Sequence, residues 1–345
     1  MVHFIKKILF FSIPIIFTLF LACFIYYKGG EHFSIERTYM LQSQNHDVLI
    51  SKAYSNLGNE YAFYNIINQK PKVLILGASR VANLKPFDFG ESAYNANINL
   101  ISMEYYYSFL KALQEHNALP KTLIFGIEQW LFNENFTDEN KSINSDISSY
   151  LKHAAKTKHI TKYALQKSIA DFFKGKIDLN KLCKSSHIGI SARMHNNGWD
   201  IYGSPYDETF ILLGKTAYKK EYHDISRQQI QYNSGIYVWG EDLSQKTIIS
   251  FQKIIHLCKA NNINLYVFLP PYSPEIFEAM TESNHYLYIT KMQTVFREYA
   301  DKYNFYFLDF TYMPETKPEN FSDGHHGDPF VYRIITDKIQ SVYNK

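Results

Sequence analysis

The sequence predicts an α/β protein with a parallel sheet of about five strands, an N-terminal transmembrane helix and a large, mainly helical insertion. Three observations predict it. Residues 8–27 carry no charge. Further along, short continuous apolar runs alternate with helical patterns, which implies βαβ units and a parallel sheet. Between about 135 and 240 that alternation stops, and Lys, Ser and Asn become frequent. Composition narrows the function classes. At 345 residues the chain can bury a core without disulfide or metal staples. A hydrophobic share of 46% and a charged share of 20% exclude a disordered chain and a polytopic membrane protein. The net charge of +3 is scattered, which argues against a nucleic-acid binder that tracks phosphates. The 28 Tyr and 26 Phe read first as core residues, although Tyr also suits wet sugar-binding clefts.

Residues 1–28 read as a cytoplasmic tip and a membrane anchor. Twenty uncharged residues match the hydrocarbon core of a bilayer. Lys6 and Lys7 precede the run and only Lys28 follows it closely, which favours an N-in, C-out orientation. A cleaved signal peptide needs a small-x-small site, and the run ends instead in Phe24-Ile25-Tyr26-Tyr27-Lys28. Tyr26 and Tyr27 suit the interfacial aromatic belt. Pro14 is tolerable in a membrane helix.

Residues 29–70 read as a connecting segment with amphipathic helical character, and residues 71–345 as the α/β domain. Strands are expected at 73–77, 93–97, 122–127, 265–269 and 305–308, each a short apolar run. Helices are expected at 102–116, 244–260 and 286–303. The last helix starts at Pro329 behind an Asp328 N-cap, with Phe330, Ile334, Ile335, Ile339 and Val342 as its stripe. The insertion at about 135–240 holds a helix-like piece at 150–174 and a loop-like piece at 195–208. Cys183 and Cys258 are open to pairing or to being two isolated thiols, and the absence of C-x-x-C argues against a thiolate zinc site.

Ligands of open parallel sheets bind at the carboxyl ends of the strands. After the first expected strand comes Gly77-Ala78-Ser79-Arg80. A serine there sits in a tight turn at a helix start, where backbone N–H groups and the helix dipole stabilise developing negative charge. A plain helix cap is the blander reading. Near the C-terminus, Asp323 and His326 have D-x-x-H spacing, so the carboxylate can fix the ring tautomer and leave the other nitrogen as a general base. A metal site from Asp323, His325, His326 and Asp328 is the rival reading of the same loop. His325 reads as a neighbour of the base. Arg80 reads equally as a binder of an anionic substrate group or as half of an ion pair. Tyr272 follows Pro270-Pro271 where a strand end should border the cleft, and reads as site lining or as turn chemistry.

This order of motifs resembles the SGNH (GDSL-type) hydrolase superfamily. In particular it resembles the membrane-anchored branch that includes the lipoteichoic acid D-alanine transfer protein and the alginate O-acetylation proteins. The shared details are the anchor, the Gly77-to-Arg80 turn, the Tyr94-Asn95 pair, the strand ending in Pro270-Pro271, and Asp323-x-x-His326 before the last helix. The resemblance implies an SGNH-type (flavodoxin-like) three-layer fold. It implies Ser79 as nucleophile, His326 as base and Asp323 as orienting acid. The oxyanion hole would use the Ser79 N–H and a donor from the loop after the second strand. This chain departs from the pattern there: residues 95–100 lack a glycine, and Gly126-Ile127-Glu128-Gln129-Trp130 replaces a Gly-x-Asn-Asp. Asn97 or Asn99 can supply the amide donor, and Glu128 can shape the site with Trp130. The expected function is a membrane-anchored serine esterase or acyltransferase acting on a cell-envelope polysaccharide or teichoic-type polymer. A membrane-bound O-acyltransferase is the implied partner, the domain faces the non-cytoplasmic side of a bacterial cytoplasmic membrane, and neither a cofactor nor a metal is expected. The rival expectation is a catalytically weak envelope-assembly factor that binds polymer and docks a membrane partner.

Overall fold

The structure, a computed structural model, describes residues 2–53, 58–98, 102–137, 162–207 and 219–343. The chain opens with α1 (Val2–Lys28), α2 (Ile35–Gln44) and α3 (Gly58–Gln69). Next come β1 (Val73–Gly77), β2 (Ala93–Asn97), α4 (Met103–Glu115) and β3 (Thr122–Gly126). They are followed by α5 (Lys162–Phe173), α6 (Leu179–Lys184), α7 (Ile190–His195), β4 (Asn197–Trp199) and β5 (Pro205–Asp207). The described chain closes with α8 (Lys220–Gln231), α9 (Gln245–Ala260), β6 (Asn264–Leu269), α10 (Pro274–Ser283), α11 (Leu287–Tyr303), β7 (Tyr306–Asp309) and α12 (Pro329–Tyr343). These elements form two compact units. The first takes its described residues from 2–64, 162–201 and 205–207, and the second from 65–137, 202–204 and 219–343.

The first unit contains α1, a helix long and apolar enough to span a membrane. Near its end Leu21, Ala22, Ile25 and Tyr26 are buried. Leu21 and Ile25 join Ile177, Leu182, Ile190 and Met194 in one apolar cluster. The segment read as connecting contributes to a second cluster, in which Ile35, Val48, Ile50 and Tyr61 meet Ile188. The piece expected as a loop at 195–208 holds a small antiparallel hairpin, with Gly198 opposite Tyr206. Ile50 bridges to Trp199 beside it. Of the helix-like piece at 150–174, α5 covers 162–173, and residues 150–161 lie outside the described residues. Tyr26, expected at the interfacial belt, is buried.

The second unit is a five-stranded parallel sheet in the order β2-β1-β3-β6-β7. Numbering these strands by their use alone gives 2-1-3-4-5, so the order of winding reverses between the parallel strands β1 and β3. That reversal is the topological switch point, where open sheets hold their ligands. The apolar runs form strands because both sheet faces are covered. On one face Val73, Ile75, Ile124, Tyr266 and Phe268 pack on Val331, Ile335 and Ile339 of α12. On the other, Tyr106 of α4 meets Phe125 edge-on at 5.0 Å, and α9 packs beside α4. The Asp328 cap is as read, its Oδ1 accepting from Val331 N at 3.0 Å; Ser102 Oγ also accepts from Tyr105 N at 3.3 Å and Ser244 Oγ from Thr247 N at 3.4 Å. Each such cap is worth about 1 kcal/mol. Cys183 and Cys258 are free, the first exposed and the second buried, so the pairing left open is not made.

Two glycines let the chain turn sharply at the carboxyl edge. A Cβ on Gly77 would lie 2.4 Å from Val81 Cγ1, and one on Gly126 would lie 2.3 Å from the same atom and 2.8 Å from Phe268 Cζ. Val81, fully buried, therefore folds back over the ends of β1 and β3 and draws the turn after β1 onto the sheet. Gly126→Ala is expected to destabilise the protein by about 1–3 kcal/mol through overpacking, seen as a lower urea midpoint with an unchanged slope.

Candidate active site

The turn after β1 is a single 3₁₀ turn, Ser79–Val81, and not the helix start expected there. Three residues give almost no aligned peptide dipole, so the expected helix-dipole contribution is corrected to the backbone N–H groups alone. Ser79 does not cap this turn with its side chain. It is exposed, and its hydroxyl meets His326 Nε2 at 2.7 Å across 247 residues of sequence. His326 Nδ1 lies 2.7 Å from Asp323 Oδ2. A carboxylate only accepts, so the proton sits on Nδ1 and Nε2 accepts from the serine hydroxyl. The D-x-x-H spacing works because Asp323 closes its own turn. Its Oδ1 accepts from the backbone N–H groups of His325 and His326, each at 2.8 Å. Burial alone would raise the Asp323 carboxyl. The His326 hydrogen bond, the charges of both histidines and the His325 amide outweigh it and hold the group well below the usual carboxylate range.

The loop from Phe321 to Asp328 is fastened from several elements. Phe321 bridges to Gly327, and Ser322 N donates to His326 O at 2.9 Å. Ser273 N donates to Gly324 O at 2.9 Å, and Asn83 Nδ2 to Gly327 O at 3.1 Å. From α8, buried His223 uses Nε2 on Phe321 O at 3.1 Å while its Nδ1 faces Glu275. Arg227 holds the other Glu275 oxygen at 2.7 Å. Gly324 leaves no room for a side chain: a Cβ would sit 2.4 Å from Tyr237 Oη and 2.6 Å from Ser226 Oγ. None of these fasteners was legible in the sequence, because none has a local spacing signal.

Arg80 is fully buried, so the anionic-substrate reading is corrected and the ion-pair reading stands. One guanidinium nitrogen donates to Glu128 Oε2 and Gln129 Oε1, both at 2.9 Å. The other donates to the carbonyls of Pro270 and Pro271. The ring of Tyr272 lies 4.9 Å from the guanidinium carbon and that of Trp130 lies 5.3 Å away. Glu128 and Tyr272 are thus buried supports and not lining residues. Burial pushes the Glu128 carboxyl up, and the Arg80 charge and hydrogen bond draw it back. Burial also works against the Arg80 charge, and Glu128 outweighs it, so the guanidinium stays protonated.

Trp130 is half-buried and does border the triad loop. Its ring meets His325 edge-on at 5.7 Å, and His325 lies 4.2 Å from the His326 ring. A column of Arg80, Trp130, His325 and His326 therefore runs from the buried cation to the His326 ring. Burial first, then the His326 and Arg80 charges, holds His325 well below its usual value against the pull of Asp323, so it packs as a neutral ring. Asn97, expected as an oxyanion donor, donates through one amide N–H to Gly203 O at 3.1 Å. Asn99, the other expected donor, lies outside the described residues. Asn95 has a part the sequence did not reveal: its amide donates to Val81 O and Leu84 O, both at 2.8 Å, and so holds the Ser79 turn from β2.

Asp323, His325 and His326 bring ligand atoms within 4.8 Å of one another. Both Asp323 oxygens are already committed, to two backbone amides and to His326. Asp328, the fourth member of the metal reading, spends its carboxylate on the Val331 amide and on Asn320 Nδ2 at 3.2 Å.

A family model described as protein of unknown function (DUF1574) matches residues 5–343. The chain belongs to the DUF1574 family. The match includes most of the apolar helix, the insertion and the triad residues. No curated protein matches the chain.

Glu128→Gln strands the Arg80 charge and is expected to cost about 3–5 kcal/mol. Arg80→Met combined with Glu128→Met is expected to cost less than the sum of the two single changes, measured in a double-mutant cycle by denaturant unfolding. Asp323 has a depressed carboxyl in the folded state, so the unfolded chain binds more protons in acid. Its contribution is complete above about pH 4 and is lost as pH falls through the folded value. Asp323→Asn is expected to flatten that part of the stability profile.

Proposed function

We propose that this protein is a membrane-anchored serine esterase or acyltransferase of SGNH type, acting on a cell-envelope polysaccharide or teichoic-type polymer. The observation that carries this reading is the continuous chain Ser79 Oγ, His326 Nε2, His326 Nδ1, Asp323 Oδ2, with 2.7 Å at each hydrogen bond. It stands at the carboxyl edge of a parallel sheet, beside the switch point between β1 and β3. Two distant sequence regions, the turn after β1 and the loop before α12, converge on it, which a plain cap serine and a polar loop would not require.

The chemistry follows the serine-acyl scheme. Ser79 Oγ forms a bond to the acyl carbonyl carbon and passes its proton to His326 Nε2. Asp323 stabilises the imidazolium and keeps its orientation. The Ser79 N–H is the first donor for the oxyanion. As the intermediate collapses, the alcohol leaves with the proton from His326, and the acyl group remains on Ser79. Water or a sugar hydroxyl then attacks the ester while His326 takes its proton, and Ser79 is regenerated. Water yields an esterase and the hydroxyl a transferase. The neutral His325 ring beside His326 keeps a second positive charge away from the base.

The uncharged helix supports a single-span anchor, and the lysines at 6 and 7 support an N-in orientation with the α/β unit on the non-cytoplasmic side of a bacterial cytoplasmic membrane. A membrane-bound O-acyltransferase fits as the donor of acyl groups. Leu21 and Ile25 belong to a folded core, so the full chain in detergent is the proper sample. A fluorophosphonate probe is expected to label Ser79, found by mass spectrometry. Ser79→Ala is expected to abolish labelling and His326→Ala to slow it at least about 100-fold. Absence of labelling in folded wild-type protein would overturn the enzymatic reading in favour of a polymer-binding assembly factor.

A further inference from the structure

The end of α1 is fixed to the first unit without a flexible linker. Gly29 O accepts from Gly189 N at 2.7 Å. Glu31 Oε1 accepts from Ile190 N at 2.7 Å and from Ala53 N at 2.8 Å. A Cβ on Gly29 would lie 2.5 Å from Ile190 Cγ1, so helix end and α7 are in direct contact. The depth of this unit in a bilayer is therefore set by the helix itself.

The uncharged run of residues 8–27 is about 30 Å long, the thickness of a hydrocarbon core. Its earlier part is bare: Phe10, Phe11, Ile13, Ile15, Ile16, Phe17, Leu19 and Phe20 are all exposed. From Leu21 to Tyr26 it is covered by protein. Those six residues occupy about 9 Å of helix. If all twenty residues sit at membrane depth, the parts of the unit packed on Leu21–Tyr26 reach about 9 Å into the leaflet boundary. That matches the 5–10 Å to which interfacial helices sink.

The end of α5 is built for that position. Phe172 packs on the cluster of Leu21 and Ile25. Phe173 meets Phe172 edge-on at 5.6 Å and is 70% exposed. Phe173 is thus an exposed ring next to one that packs on the end of the apolar helix. Lys174 and Lys176 follow at once, both exposed. Residues 162–184 hold six lysines against two aspartates, Asp171 and Asp178, a surplus of four positive charges. That surplus complements anionic phospholipid headgroups.

We propose that the Phe172–Phe173 corner of α5 is a lipid contact that seats the first unit on the bilayer, with Phe173 at the acyl boundary and Lys176 at the phosphates. The proposal rests on the reading of α1 as a membrane anchor. The test uses the full chain in phosphatidylcholine–phosphatidylglycerol vesicles. Its three cysteines are replaced by Ala, and a nitroxide is attached at Phe173→Cys or Lys176→Cys. The expected result is that position 173 is open to oxygen and shielded from a nickel chelate, at a depth near the ester carbonyls by doxyl-lipid standards, with position 176 shallower. Equal chelate access at both positions in protein that floats with the vesicles would overturn the lipid contact alone. Failure of the chain to float with vesicles would overturn the anchor reading, and the contact with it.

Discussion

The buried Arg80–Glu128 pair is the constraint on which the site depends. Arg80 leaves β1, Glu128 and Gln129 leave β3, and the prolines leave β6, so one guanidinium ties three strand ends together. Gln129 extends the tie to Thr311 after β7 at 3.3 Å. The residue types suit the task. Prolines have no N–H to satisfy, so their carbonyls can be spent on a buried cation. A planar guanidinium can serve several acceptors at fixed angles where an ammonium could not. Burying the pair is costly, and the attraction offsets that cost only with this many partners. What is gained is position: Ser79 is the residue immediately before Arg80.

The Ser79–His326–Asp323 array is assembled from distant parts of the chain. Ser79 is held by Arg80 behind it, by Val81 packed over two glycines, and by Asn95 from β2. His326 is held by Asp323 within its own loop, and that loop is held by α8, by Ser273 and by Asn83. The aromatic column from Arg80 through Trp130 and His325 joins the two halves. A change at any member of this network acts on the placement of Ser79 or of the His326 ring.

Much of the fold was legible because it follows from local patterns. The β1 and β2 runs match their strands; β1, buried on both faces, is continuously apolar, whereas β2 at the sheet edge carries Asn95 and Asn97. Asp328 declares its helix through a side chain that satisfies a free N–H group. The Asp323–His326 relation was legible for the same reason, as both residues lie in one turn. Errors arose where neighbours in space override the local pattern. Ser79 looked like a helix start, yet the chain after it is bent by Val81 and Asn95. Arg80 stayed open between an anionic-group binder and half of an ion pair, because a lone arginine after a strand does not reveal a glutamate 48 residues away.

The sequence by itself determined the alternation of strands and helices, the uncharged helix at the N-terminus and the chemical types available at the strand ends. These depend on period, length and residue chemistry, which are properties of short segments. Only the tertiary structure decided that Arg80 turns inward while Ser79 turns outward. Only it joined the last turns of the apolar helix to residues 162–194. Both outcomes depend on which distant atoms arrive beside a residue. Burial then selects the arrangement in which the Arg80 charge faces Glu128.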